Sequence, residues 1–179
     1  AAQTIGAPYV ERGRRSLRKL RTLYRAGDLF VVRQDGTLEW HPEEGMPFFF
    51  HPGMSVVRVK RLLAGSHDPM LDISGFEPGD SVLDCTAGLA SDAAVFAFAG
   101  GERTQVTAVE SERPIFFVVK YGLQNYVCDE LPELTAAMRR IRLVHRDHLE
   151  VLREMPDKSV DIVYFDPMFQ TPLRTSPGI

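Results

Sequence analysis

Along residues 67–179, short apolar runs alternate with longer stretches of helical periodicity. Four of the apolar runs have the length and composition of buried strands, and they cover 81–84, 105–110, 141–145 and 160–165. Helices are expected between these runs, over about 91–99, 114–126 and 131–139 and from residue 148 onward. Strands that alternate with helices predict a parallel sheet wrapped by helices, an α/β fold of the Rossmann-like class.

The first 66 residues follow a different pattern, which predicts a small N-terminal α/β appendage. The Asp35-Gly36 pair between two apolar runs indicates a hairpin. The other expected elements are helices at 1–5, from Ser16 to about 25 and from about 55 to 63, and a short strand at 7–10. Phe48, Phe49 and Phe50 are predicted to lie in its core rather than to form an exposed stacking platform. We therefore divide the chain into an N-terminal subdomain, 1–66, and a Rossmann-like domain, 67–179.

The number of strands suggests that the sheet continues outside this chain. A doubly wound sheet usually has more than four strands, and the chain begins with Ala1 rather than methionine. We therefore expect a longer protein, with C-terminal strands beyond residue 179.

The composition limits the classes of protein to which this chain can belong. With 44% hydrophobic and 25% charged residues, the 179-residue chain has the make-up of a globular domain. Its apolar runs are shorter than the ~20 residues that a membrane span needs. Two cysteines and no signal-like segment favour a reduced, cytoplasmic setting. The five histidines are scattered and no Cys-x-x-Cys is present, so no metal site is predicted. A net charge of −3 means that any attraction to nucleic acid must come from a local patch.

The segment after the first predicted sheet strand reads Asp84-Cys-Thr-Ala-Gly-Leu-Ala-Ser-Asp92. A parallel sheet binds ligands at the carboxyl ends of its strands, where this loop is expected. Thr86, Ala87 and Gly88 are small, so the backbone can come close to a ligand. The two acids would repel a pyrophosphate but suit a ligand that carries an amine or a sulfonium. The loop therefore favours S-adenosylmethionine over NAD; a strand-to-helix turn without a ligand is the alternative.

Acidic and histidine side chains follow the next two predicted strands. Glu110 ends the second strand, where an acid typically accepts hydrogen bonds from ribose hydroxyls; an acid that is only solvated is the alternative. Asp147 follows the third strand and is placed to accept from an adenine amino group, or only to cap the next helix. His148 is placed to flank the adenine, although a lone histidine is more often structural.

The segment Asp166-Pro167-Met168-Phe169 follows the fourth predicted strand and carries the predicted chemistry. An exocyclic amine is a poor nucleophile because its lone pair is conjugated into its ring. If Asp166 and the Pro167 carbonyl accept its two protons, the lone pair turns toward a methyl donor. Phe169 can stack on the ring, which is worth about 1–3 kcal/mol. We predict Asp166, Pro167 and Phe169 as catalytic residues; an Asp-Pro turn without a function is the alternative.

Basic residues are dense near the N-terminus, with only Glu11 beside them: Arg12, Arg14, Arg15, Arg18, Lys19, Arg21 and Arg25. Contacts to phosphates dominate the affinity of proteins for nucleic acid. This basic N-terminal patch therefore favours RNA as a partner. Further along the chain, the residues predicted to extend it are Arg58, Lys60, Arg61, Arg139, Arg140 and Arg142. A solvated helix face is the alternative.

The two motifs, Asp84 to Ala93 and Val163 to Phe169, resemble those of RsmJ-like class I methyltransferases over roughly residues 80–170. The whole chain is still more similar to an uncharacterised YpiP-like Gram-positive branch. RsmJ-like enzymes methylate the exocyclic N2 of a guanine in small-subunit ribosomal RNA. The resemblance therefore implies S-adenosylmethionine as cofactor and an rRNA guanine as acceptor.

The resemblance also implies individual cofactor contacts, since Ser91 and Ser111 match residues that flank the cofactor in the family. With the residues given above, the predicted cofactor-binding set is Asp84, Thr86, Ala87, Gly88, Ser91, Asp92, Glu110, Ser111, Asp147, His148 and Asp166. The chain departs from the family pattern at Ala90, Ser91 and Gln170, where the family has Gly, Arg and Pro. Its N-terminal part matches RsmJ less well, which leaves the target nucleotide open.

The sequence thus predicts an S-adenosylmethionine-dependent N-methyltransferase that acts on an rRNA base. Three alternatives stay open. The first is the same fold acting on a small molecule or a protein. The second is a non-catalytic scaffold that binds RNA and the cofactor. The most distant is an NAD-dependent oxidoreductase.

Overall fold

Seven strands form two sheets within residues 2–167, the part of the chain that the computed structural model describes. The first sheet is antiparallel and comprises β1 (Leu29–Val32), β2 (Leu38–His41) and β3 (Phe48–Phe49). The second is parallel and comprises β4 (Ser81–Asp84), β5 (Gln105–Glu110), β6 (Arg142–His145) and β7 (Ile162–Tyr164). Its strand order, β6-β5-β4-β7, confirms the predicted Rossmann-like fold class with a small N-terminal appendage.

The helices connect these strands and cover both faces of the parallel sheet. In the described chain they are α1 (Ala2–Ile5), α2 (Leu17–Tyr24), α3 (Met54–Leu63), α4 (Pro69–Ser74), α5 (Ser91–Gly100), α6 (Arg113–Asn125), α7 (Pro132–Arg140) and α8 (His148–Glu154). Local signals fix several of their ends. Ser16 caps α2 by accepting a hydrogen bond from the Lys19 amide, and Asp68 caps α4 ahead of a proline.

Two details of the N-terminal part differ from the prediction. The strand expected at 7–10 is wrong: Pro8 has no N–H to donate, Tyr9 is 79% exposed and no strand within residues 2–167 pairs with this segment. Conversely, β3 was not predicted, and it exists because Phe48 and Phe49 pair with β2.

The N-terminal part and the parallel sheet share a continuous hydrophobic core. Helix α5 is apolar on all sides and fully buried at its centre, because it packs on the sheet, on α3 and on α7. In the same core, the Phe50 ring packs directly on Gly122 of α6. A Cβ added to Gly122 would lie 2.0 Å from the ring, so this position has room for glycine alone. Phe50 is buried and Phe48 packs against the core, as predicted, whereas Phe49 is 41% exposed.

Two structural features are absent from residues 2–167. No helix there is both long and apolar enough to cross a lipid bilayer. No group of three or more His, Cys, Asp or Glu side chains in the same range is arranged to hold a metal ion.

Candidate active site

The strand order predicts a ligand crevice at the carboxyl ends of β4 and β7. The chain winds from β4 toward β5 and β6 in one direction and returns to add β7 on the other side of β4. Doubly wound sheets bind ligands at such a switch point, outside the carboxyl ends of the strands. The register places Asp84 beside Tyr164, at the ends of these two strands. The loops after β4 and β7 therefore meet at one rim of the sheet.

The loop after β4 is held by backbone hydrogen bonds to both neighbouring strands. The Cys85 amide donates to the Tyr164 carbonyl at 2.9 Å, and the Ala87 amide donates to the Val109 carbonyl at 3.0 Å. Gly88 and Ala90 have φ of +49° and +56°, in the left-handed region. For Ala90, which directly precedes α5, this backbone conformation costs about 1–2 kcal/mol relative to a right-handed one. The small residues predicted to cradle a ligand thus form a fixed turn.

Glu110 joins this loop to the end of β5. Its Oε2 accepts a hydrogen bond from the Gly88 amide at 3.1 Å, and its Oε1 accepts one from the Glu112 amide at 2.8 Å. The residue is 8% exposed, and burial raises the pKa of its carboxyl. A carboxylate can accept about four hydrogen bonds, so two further ones remain possible. Glu110 can therefore both fix the loop and receive the hydroxyls of a ribose.

Asp84 is the most deeply buried acid of the rim, at 1% exposure. It accepts a hydrogen bond from the Thr86 amide at 2.9 Å. Burial raises the pKa of Asp84 to about 6, and the charges of Asp92 and Asp166 add to the effect. The rim thus concentrates negative charge, as expected of a site for a cationic ligand.

We expect Asp84→Asn to stabilise the free protein at neutral pH. Between pH 3.8 and about 6 the unfolded chain loses the Asp84 proton while the folded protein keeps it. The contribution of Asp84 to the free energy of unfolding is therefore fully present below pH 3.8. It falls as the pH rises from 3.8 to about 6, by about 3 kcal/mol for two pKa units. Asparagine keeps the acceptor for Thr86 and removes the charge.

The measurement is the free energy of unfolding by urea, for the wild type and Asp84→Asn, between about pH 4 and 8. The variant should gain about 1–3 kcal/mol above pH 6 and have a weaker dependence on pH below it. Asp157→Asn, in an exposed turn, is the matched control and should follow the wild type. Equal stability of Asp84→Asn and wild type across this range would contradict a destabilising charge at Asp84.

The loop after β7 contacts the loop after β4 directly. The Asp166 amide donates a hydrogen bond to Thr86 Oγ1 at 2.8 Å, across 80 positions of sequence. Asp166 and Pro167 are exposed, so both can be reached by an acceptor molecule. Phe169, like Met168 and Gln170, lies outside the described residues. The structure thus brings Thr86 and Asp166 together, while their chemical roles stay predictions.

Two aromatic residues at this rim were not among the predicted site residues. Tyr164 packs against Phe96, and burial together with the charges of Asp92 and Asp166 raises its pKa to about 12. Phe165 is 46% exposed and meets the His148 ring edge to face, at 5.5 Å between centroids. The sequence assigned Phe165 to the strand, but the strand ends one residue earlier, which leaves this ring in the loop.

The remaining predicted residues lie at the ends of β5 and β6. Asp147 Oδ1 caps α8 by accepting from the amides of Leu149 and Glu150, at 2.8 and 3.4 Å, so the capping alternative holds. Its Oδ2 is not used in this cap. Ser111 is exposed, and its carbonyl contacts His145 Nε2 at 3.0 Å. Both residues border the same rim as Glu110 and remain available to an adenosine.

Ser91 and Asp92 open helix α5, and Asp92 has a partner that the sequence did not indicate. Arg58 of α3 donates a hydrogen bond to Asp92 Oδ1, and it also holds both oxygens of Asp68. Arg58 is thus engaged with carboxylates beside the rim and is not part of a surface patch.

The basic N-terminal patch is smaller than its sequence suggests. Arg21 donates to the carbonyls of Gly27, His41 and Pro42, at 2.8, 3.1 and 2.6 Å, and so ties α2 to the hairpin. Arg139 likewise donates to backbone carbonyls within the fold. Four of the N-terminal cations are exposed and make no side-chain hydrogen bond within residues 2–167: Arg14, Arg18, Lys19 and Arg25.

Long stretches of the chain are similar in sequence to known proteins. A family profile described as "Putative SAM-dependent methyltransferase" matches residues 49–176. The chain is 39% identical over 178 residues to the uncharacterised protein YpiP of Bacillus subtilis, covering 99% of this chain and 68% of YpiP. It is 32% identical over 116 residues to the ribosomal RNA small subunit methyltransferase J of Pseudomonas syringae, covering 63% of this chain and 41% of that enzyme.

A solved structure has the same fold. The crystal structure of a SAM-dependent methyltransferase from Neisseria gonorrhoeae superposes with a TM-score of 0.58 at 22% identity, over 86% of this chain and 67% of that one. The chain therefore spans about two thirds of YpiP and of this structure, and less than half of the Pseudomonas enzyme.

Proposed function

Since the chain belongs to the family of SAM-dependent methyltransferases, we propose that it transfers a methyl group to an exocyclic amino nitrogen of a base in ribosomal RNA. The cofactor of this family is S-adenosylmethionine. The observation that carries the proposal is the 2.8 Å hydrogen bond between the Asp166 amide and Thr86 Oγ1. It sets the predicted acceptor motif directly beside the predicted cofactor loop.

The rim residues fit the chemical groups of S-adenosylmethionine. When bound, this cofactor supplies an electrophilic methyl group on a positively charged sulfur. Glu110 has unused acceptor capacity for the ribose hydroxyls, and Asp147 and His148 flank the position expected for the adenine. Asp84 at the start of the loop and Asp92 at its end suit the ammonium and sulfonium groups of the amino-acid part.

Asp166 and the Pro167 carbonyl act on the acceptor. Both accept hydrogen bonds from its amino group, which localises the lone pair on nitrogen and aligns it for attack. The new N–C bond forms as the S–C bond of the donor breaks, and the nitrogen gives up one proton. Asp166 is exposed and can pass that proton to water. A base within a duplex must first be turned out of the stack.

Ribosomal RNA is the proposed substrate because the Pseudomonas relative is named for it and because α2 exposes basic side chains. Arg18 and Lys19 line a shallow depression with Ser16, Thr22 and Leu23. Lysine and arginine side chains on such a surface bind RNA phosphates without reading bases. The resemblance to RsmJ makes guanine N2 the first position to examine.

The test uses purified protein, S-adenosylmethionine labelled in its methyl group, and small-subunit rRNA from a strain that lacks the gene. We expect label in rRNA, with mass spectrometry of the nucleosides identifying the methylated base. RNA from the parent strain, already methylated, is the control and should accept little label.

Two other results would change the proposal. Label that enters only the protein or small-molecule fraction of the deletion strain would move the acceptor to that class. No turnover on any fraction, despite measurable binding of S-adenosylhomocysteine, would favour a non-catalytic scaffold.

A further inference from the structure

Helix α3 of the N-terminal part reaches the first turn of α5 through one side chain. Arg58 Nε and Nη2 donate to the two oxygens of Asp68, at 2.7 and 2.6 Å, and Nη1 donates to Asp92. The Arg58 side chain is 17% exposed and that of Asp68 is 6% exposed. A guanidinium whose Nε and Nη2 are both bound by one buried carboxylate has a fixed orientation. Asp68 therefore directs Nη1 of Arg58 toward Asp92.

Asp92 shares the rim with other carboxylates, whose charges oppose its own. Asp84 and Asp166 are close enough for the three carboxylates to influence one another, since Asp92 and Asp166 both raise the pKa of Asp84. Tyr164 lies against the same carboxylate. Without a cation, mutual repulsion would favour protonation of one of these acids or rotation of Asp92 into solvent. Arg58 is the cation that forms ion pairs with Asp92 within residues 2–167.

We propose that Arg58 is a positioning residue for the cofactor, which holds the Asp92 carboxylate in place to receive the ammonium group of the amino-acid part of S-adenosylmethionine. This inference rests on the proposed function. It makes α3, which precedes the Rossmann-like sheet in sequence, a component of the cofactor site. It also gives a different role to an arginine that was predicted to extend the basic patch.

Two ligands separate this role from a purely structural one. S-adenosylhomocysteine carries the amino-acid part, whereas 5′-methylthioadenosine has the same nucleoside and lacks it. Calorimetry on Arg58→Met should give a loss of about 10–50-fold in affinity for S-adenosylhomocysteine and a change below about twofold for 5′-methylthioadenosine. Arg58→Lys, which keeps the charge, should recover part of the loss.

A double variant tests whether Arg58 acts through Asp92. Asp92→Asn should reproduce the loss seen in Arg58→Met, and the double variant should bind no more weakly than Asp92→Asn alone. Lys60→Met is the matched control, since Lys60 lies on the same helix but pairs with the exposed Glu130. It should bind both ligands as the wild type does.

Each contrary outcome has a separate meaning. Equal weakening of both ligands in Arg58→Met, or additive losses in the double variant, would overturn the positioning role and leave the proposed function intact. If the wild type binds neither ligand, the proposed function fails, and the role of Arg58 fails with it. Retained affinity for 5′-methylthioadenosine shows that a variant is folded. If Arg58→Met does not fold, Arg58→Lys provides the same test.

Discussion

Replacing Asp166 with alanine should lower kcat for methyl transfer by about 1000-fold or more and leave the affinity for S-adenosylhomocysteine within about threefold of the wild type. The side chain is exposed at the rim, so its loss removes a hydrogen-bond acceptor from the acceptor molecule without leaving a buried group unpaired. Its hydrogen bond within residues 2–167 is the one that its backbone amide donates to Thr86 Oγ1, and alanine keeps that amide.

The measurement combines single-turnover transfer with calorimetry on the same preparation. Asp166→Asn keeps an oxygen acceptor but cannot take up a proton, so it should lose about 100-fold and separate the two contributions. Asp161→Asn is the control, because Asp161 lies at the opposite end of β7 and accepts hydrogen bonds from the amide and hydroxyl of Ser81, at 2.8 and 2.6 Å. Undiminished transfer in Asp166→Ala would remove Asp166 from the mechanism.

A parallel loss of cofactor affinity in Asp166→Ala would have a different meaning. It would show that the carboxylate binds the cofactor, as the family resemblance also implies, rather than the acceptor. The two roles can be confused because the Asp166 amide is hydrogen-bonded to Thr86 in the predicted cofactor loop. A change at Asp166 could therefore act on either ligand.

Elements whose ends are marked by local chemistry could be predicted from the sequence. The bounds of β4 and β5 agree with the prediction because each is a short apolar run that ends at an acid, Asp84 or Glu110. The hairpin follows from the turn chemistry of Asp35-Gly36. Pairing between distant segments gives no such signal. The segment 7–10 has strand composition but no partner strand in the described part of the chain, whereas Phe48 and Phe49 form β3 because β2 lies beside them.

The same distinction applies to the candidate site. Its acids were predictable because the carboxyl ends of parallel strands converge, whatever the intervening sequence. The contact between Thr86 and Asp166 could be expected in general but not as a specific hydrogen bond, since its partners are 80 positions apart. Arg58 could not be predicted. Its sequence neighbours Lys60 and Arg61 suggested a surface patch, and only packing of α3 on α5 turns it toward Asp92.

Glu110→Ala should weaken the binding of S-adenosylhomocysteine by about 100-fold or more. Two effects combine. The ribose hydroxyls lose a charged acceptor, and the Gly88 and Glu112 amides lose the two carboxylate oxygens that hold them. These two amides are only partly buried, but without the carboxylate they lose the contacts that fix the turn, so the loop after β4 would relax away from the geometry that receives the ligand. Glu110→Gln keeps one oxygen for Glu112 but none for Gly88, and an intermediate loss is expected.

Binding of 5′-methylthioadenosine tests which part of the cofactor Glu110 contacts. Because 5′-methylthioadenosine retains the ribose, Glu110→Ala should weaken it about as much as S-adenosylhomocysteine, whereas Arg58→Met should spare it. Glu112→Gln is the matched control: it keeps the backbone amide that donates to Glu110 and removes only an exposed carboxylate, whose charge adds to the raised pKa of Glu110. If Glu110→Ala affected S-adenosylhomocysteine alone, Glu110 would lie at the amino-acid end and the proposed orientation of the cofactor across β4 and β5 would be reversed. Equal losses for the two ligands in Glu110→Ala, with unequal losses in Arg58→Met, would place the ribose at β5 and the amino acid at the start of α5.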